Sequence, residues 1–123
     1  MTRVSCAVIL KDNKYLAVQR SAKMDLPFQW EFPGGKIKEN ETEEESLKRE
    51  IKEELNVEVT IIKRLNSNLH SYPNKTIELI PFVCSIPLDN IQLTEHIAKV
   101  WLTKEELKNL DWCAADVQIL DLL

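Results

Sequence analysis

With 123 residues, 44% hydrophobic and 29% charged, the chain has the size and composition of one folded domain, residues 1–123, and disordered or fibrous architectures are excluded. A formal net charge of −4 argues against a nucleic-acid polymer as the main partner, because such proteins neutralise phosphates with clustered Lys and Arg, but it allows a small anionic substrate held through a cation. Cys6, Cys84 and Cys113 are an odd set with no close pair, which fits reduced, buried thiols rather than a disulfide framework or a zinc site.

In chain order, residues 4–10 and 15–19 are β-rich runs around a polar stretch able to turn, and they predict a hairpin. Residues 20–29 read as a loop containing Pro27. The short apolar segment Trp30-Glu31-Phe32 and the turn Pro33-Gly34-Gly35 follow. A helix is predicted from near Thr42 to about Leu55: Thr42 and Glu45 have the spacing of a capping box, and Leu47, Ile51 and Leu55 form a stripe one face wide. Residues 57–65 and 76–86 read as strands, with a loop at 66–75 and an irregular stretch at 87–97. Residues 100–102 suggest a short strand, Thr103 and Glu106 repeat the capping-box spacing, and residues 114–122 predict a last helix with Val117, Leu120 and Leu123 as its apolar side. No apolar run reaches the ~20 residues needed to span a bilayer and no signal-peptide layout is visible, so no membrane partner and a cytoplasmic location are expected.

Two features carry chemistry. Only two glycines occur, where average usage of about 7% would give roughly nine, and both sit in Gly34-Gly35. That pairing asks for positive φ or for close approach of another group to the backbone. Between Glu39 and Glu54 stand eight glutamates. Glu43, Glu44 and Glu45 lie in the first helical turn, where a solvated acidic face that favours the helix dipole is the simpler reading. Glu50, Glu53 and Glu54 differ, because offsets of 0, +3 and +4 project them into one sector of the helix. Three crowded carboxylates repel one another and raise each other's pKa values, an objection that a bound cation removes; Arg49 is the other compensating charge. Carboxylate oxygens are the ligands that Mg²⁺ selects, with Mn²⁺ as a substitute.

Read together, Gly35, Glu41, Arg49, Glu50, Ile51, Glu53, Glu54 and Val57 resemble the Nudix box, G-x5-E-x7-R-E-U-x-E-E-x-G-U, where U is apolar. Asn56 stands where the pattern has Gly, and Asn also adopts the left-handed conformation after a helix. Residues 30–36 (WEFPGGK) resemble the lead-in of the MutT-like branch, which contains oxidised-dGTP and CTP pyrophosphohydrolases. Trp101-Leu102, Leu110-Asp111-Trp112 and Ala115-Asp116 are also similar to that branch.

The resemblance implies an α/β Nudix fold, an α/β/α sandwich with a mixed β-sheet between helices. It implies a Mg²⁺-dependent pyrophosphohydrolase that converts a nucleoside triphosphate to the monophosphate and pyrophosphate. Oxidised dGTP (8-oxo-dGTP) stands first as substrate, with CTP, dCTP or 5-methyl-dCTP as the alternative. A nucleotide-sensing Nudix-like module without turnover is a reading of another class, against which the intact glutamates speak. Metal ligands carried over are Glu50, Glu53, Glu54 and the Gly34 carbonyl, while Arg49 orients the glutamates through a charge-assisted fork and Glu41 braces it. Glu95 is the candidate late-loop carboxylate, as metal ligand or base; neighbouring His96 fits an exposed loop histidine better than a base. Arg20, eleven residues before Glu31, corresponds to a basic residue near the α and β phosphates. Asp116 corresponds to the residue that reads the base edge, and Phe32 and Phe82 are candidate pocket walls. The expected partner is a small-molecule nucleotide, the protein itself being a monomer or homodimer.

Overall fold

The computed structural model describes residues 1–123. β1 (Thr2–Lys11) and β2 (Lys14–Gln19) form the expected hairpin. Its turn residues Asp12 and Asn13 have φ of 52° and 63°, the left-handed pair that a two-residue type I′ turn demands and that Asp and Asn tolerate. β1 is the central strand. It runs parallel to β7 (Lys75–Ser85) from Thr2↔Ile77 to Ile9↔Cys84 and antiparallel to β4 (Gly34–Lys36). β2 pairs antiparallel with β3 (Trp30–Glu31) and β8 (Ala98–Leu102).

Two shorter strands share the other side of β7: β6 (Asn68–Tyr72) up to Leu79, and β5 (Thr60–Arg64) from Phe82 onward. Pro81 occupies the change of partner. Its carbonyl accepts from Leu65 N–H at 2.9 Å, so its missing N–H faces the gap between β5 and β6, where no ladder bond is lost.

Alternation along β1 feeds two cores. Ala7 and Ile9 pack with Leu47, Ile51 and Leu55 on one face of the sheet, whereas Cys6 and Val8 pack with Phe32, Leu107, Trp112 and Ile119 on the other. Both faces of the sheet are therefore covered by helices, which is the expected α/β/α sandwich with a mixed sheet. α1 (Glu43–Leu55) covers the first face. Its capping box is complete, with Glu45 N–H donating to Thr42 Oγ1 at 3.1 Å and Thr42 N–H donating to Glu45 Oε1 at 2.9 Å. Its three stripe residues are fully buried, each contributing roughly 1.5–3 kcal/mol. Asn56 ends the helix at φ 56°, ψ 36°, the left-handed cap expected of it. α2 (Lys104–Leu107), capped by Thr103 and Glu106, and α3 (Ala114–Leu120) lie on the second face. No helix is long and apolar enough to cross a membrane.

Three expectations need correction. Residues 66–75 are not a loop, because β6 and β7 form a hairpin across Pro73 and Asn74; the polar, one-sided β6 gains its order from pairing with β7 rather than from an apolar pattern. The strand expected at 57–65 is only Thr60–Arg64, since Val57 and Val59 are buried ahead of it as extended chain. In α3 the fully buried side is Ala115, Asp116 and Ile119; Leu120 and Leu123 pack partly buried on the same core as expected, whereas Val117 is 47% exposed.

Candidate active site

β4 lays the glycine pair between β1 and α1. Neither glycine has positive φ, so close approach is the reason for both. A Cβ on Gly34 would overlap the Ser5 carbonyl across the β1/β4 pair, and one on Gly35 would overlap the Glu50 carboxyl group. Backbone packing fixes the first position; room for a carboxylate fixes the second.

Arg49 organises the acidic face of α1. Its Nε and Nη2 donate to the two oxygens of Glu41 at 2.6 and 2.9 Å, while Nη1 donates to Glu50 at 2.8 Å and reaches Glu53 at 3.4 Å. The fork is thus seated on Glu41, whose pKa the Arg49 hydrogen bonds and the Lys38 amide hold down to about 2. Arg49 Nη2 also donates to the Lys36 carbonyl at 3.2 Å, tying the glycine-containing strand to the helix. Glu43 is more than a solvated side chain, since Arg64 donates to it at 2.8 Å.

Glu54 is the buried member of the trio, 7% exposed, and accepts the Gly34 N–H at 3.1 Å. Burial, followed by the charges of Glu31, Glu50 and Glu95, pushes its pKa up to about 9. Glu50 leans on Arg49, and Glu53 is 57% exposed. The side chains share a face without closing a ready-made metal shell. The donors nevertheless fit a hard divalent ion: all are oxygens, and the crowding that keeps a proton on Glu54 is what a dication relieves. Glu50, Glu53, Glu54 and Glu95, with the Gly34 carbonyl, are the groups that would hold it.

A cavity of about 560 Å³, within the range of small-ligand sites, is lined by Glu54, Asp116, Arg20, Glu31, Phe32 and Tyr72. Across the β2/β3 pair Val18 faces Glu31 and Gln19 faces Trp30, which brings Arg20 Nη1 to 2.8 Å from Glu31. Trp30 accepts from Cys113 N–H at 2.8 Å and donates to the Asp111 carbonyl at 2.9 Å. Those bonds set α3 so that Asp116 Oδ2 accepts the Phe32 N–H at 2.9 Å. Burial, and next the charge of Glu31, pushes the Asp116 pKa well up, favouring a neutral carboxyl that can donate as well as accept. Phe32 packs on Trp112 with ring centroids 4.8 Å apart.

Phe82 is placed elsewhere. Strand alternation sends Ile80, Phe82 and Cys84 into the α1 core, while Ile77 and Leu79 face the cavity, so Phe82 walls nothing there. Glu95 is exposed on the 87–97 stretch, near enough for its charge to act on Glu54. His96, expected in solvent, is buried and lies 2.8 Å from Glu31. Sequence reasoning passed over Glu31, which touches both Arg20 and His96; the available signal was a lone charge between two aromatics in Trp30-Glu31-Phe32. It also passed over Tyr72 to Lys75, the hairpin tip on the cavity rim, whose signal was the Pro73-Asn74 turn.

The NUDIX domain family matches residues 1–123. The chain is 33% identical over 121 residues to the CTP pyrophosphohydrolase of Escherichia coli (strain K12), covering 98% of this chain and 90% of that protein. It is 40% identical over 73 residues to the 8-oxo-dGTP diphosphatase of Proteus vulgaris, covering 59% of this chain and 65% of that one. The solution structure of the E. coli ORF135 protein superposes with a TM-score of 0.84 at 33% identity, covering 98% of this chain and 86% of the other.

Proposed function

The chain belongs to the Nudix family of hydrolases that act on phosphoanhydride bonds, and from that premise we propose that it is a Mg²⁺-dependent nucleoside triphosphate pyrophosphohydrolase whose substrate is 8-oxo-dGTP. The observation that carries the reading is that one cavity is lined by both Glu54, of the acidic face of α1, and Asp116, which suits a ligand with a triphosphate and a base. Bound divalent ions supply charge neutralisation on phosphate oxygens and acidify a water. Glu50, Glu53 and Glu54, with the Gly34 carbonyl, would hold them, and Arg49 keeps Glu50 and Glu53 in register. The Glu95 carboxylate assists as a further metal ligand or as base towards the attacking water, and Arg20 meets the α and β phosphates. Asp116 reads the base edge beside Phe32. Nucleoside monophosphate and pyrophosphate leave.

CTP, dCTP or 5-methyl-dCTP is the second reading, favoured by the likeness to the E. coli CTP pyrophosphohydrolase over nearly the whole chain. Pyrophosphate release with Mg²⁺ across 8-oxo-dGTP, the four dNTPs, the NTPs and 5-methyl-dCTP separates the two. The highest kcat/KM on 8-oxo-dGTP supports the first, and the highest on a cytidine nucleotide replaces it with the second. No release from any member removes both.

A further inference from the structure

Glu31 is held from two sides. Arg20 Nη1 donates to Oε1 at 2.8 Å, and His96 Nε2 lies 2.8 Å from Oε2. The His96 side chain is 0% exposed, stands behind Glu31 rather than on the cavity wall, and has a buried Nδ1 with no partner. The hydrogen therefore belongs on Nε2, where the carboxylate accepts it; an N–H at Nδ1 would have no acceptor.

His96 also ends a short segment fastened to α1. Gln92 N–H donates to the Leu55 carbonyl at 2.9 Å, Thr94 N–H to the Glu54 carbonyl at 3.1 Å, and Thr94 Oγ1 to the Glu53 carbonyl at 2.8 Å. These are carbonyls of the last helical turn, which have no partner within the helix. Asn56 Nδ2 donates to Gln92 Oε1 at 2.9 Å, a contact that the glycine of the family pattern could not make. Glu95 thus lies between Thr94, anchored on the metal-binding end of α1, and His96, anchored on Glu31.

We propose that His96 is a positioning residue of the hydrolytic site: through Glu31 it keeps Arg20 turned to the cavity, and through the chain it keeps Glu95 beside Glu54. The kinetic part rests on the pyrophosphohydrolase reading; the contact itself can be tested apart from it. His96→Leu fills the space without donating, whereas the amide of His96→Gln can still donate to Glu31. On the preferred triphosphate, His96→Leu should raise KM about tenfold, the size of one lost charge-assisted contact, and lower kcat, with His96→Gln recovering most of both. In an Arg20→Ala background the KM effect of His96→Leu should vanish while the kcat effect persists, because coupled residues are non-additive. Melting temperatures lowered alike in both single variants, with KM and kcat of the folded protein unchanged, would overturn the proposal. Imidazole ¹⁵N NMR of the wild-type protein decides where His96→Leu does not fold or where no triphosphate is hydrolysed. A slowly exchanging Nε2–H supports the contact, and an Nδ1–H tautomer or a freely exchanging ring refutes it.

Discussion

Glu53 and Glu54 are neighbours with opposite environments. One is exposed at the helix surface, and the other is buried against the Gly34 amide. Glu53→Gln removes a charge that water already solvates, so the fold should persist while Mg²⁺-dependent hydrolysis falls by orders of magnitude; melting curves and turnover on one sample check this, and undiminished turnover would sink the mechanism. The glycines separate in the same way. Gly34→Ala forces a Cβ into backbone of β1 and should unfold or strongly destabilise the protein. Gly35→Ala meets only the movable Glu50 carboxyl, so it should leave the melting temperature nearly unchanged while cutting kcat, because the carboxylate must give way.

Among the elements, α1 has two working faces: its apolar stripe builds a core and its acidic face carries the proposed site. The capping box fixes where the helix starts and hence which residues share a face. Thr42→Ala should cost about 1 kcal/mol, read as a lower denaturant midpoint at unchanged slope, with kcat retained because the cap lies two turns from Glu50. A kcat that falls in step with stability would mean that the cap, and not Arg49, sets the carboxylates. The other end of α1 is closed by the 92–94 segment and by Asn56. That arrangement was invisible in the sequence because the partners are some 36 to 41 residues apart. β6 was illegible for a different reason: it is a polar strand without an apolar pattern, ordered by hairpin pairing with its neighbour β7.

For the whole molecule, charge burial couples stability to pH and to metal. The folded state holds a proton on Glu54 up to about pH 9, whereas an ordinary glutamate releases it near 4.5. The stability from this group is therefore complete below pH 4.5 and is lost as pH rises towards 9. Asp116 acts in the same direction. Glu41, held down to about 2, acts oppositely, its contribution being lost as pH falls from 4.5 towards 2. Melting in EDTA should accordingly peak in mildly acidic buffer and decline towards pH 8.5. With Glu54 as a ligand in the proposed site, Mg²⁺ would displace its proton, so the rise in melting temperature on adding Mg²⁺ should be greater at pH 8.5 than at pH 6. Glu54→Gln should be inactive, yet outlast the wild-type protein in EDTA at pH 8.5. A metal effect that does not depend on pH would refute the linkage.

By itself the sequence determined whatever depends on near neighbours along the chain. The hairpin turn at Asp12-Asn13, the span and caps of α1, the shared face of Glu50, Glu53 and Glu54, and the left-handed Asn56 all follow from local backbone preference and helical period. Period-2 alternation sets Phe82 on the face opposite Leu79, but packing alone decides which face meets the cavity. Only the tertiary structure decided which groups meet across layers: Gly35 against Glu50, Asp116 under Phe32, and His96 behind Glu31. Those pairings join residues 15 to 84 positions apart, and burial and strand register, rather than local preference, bring them together.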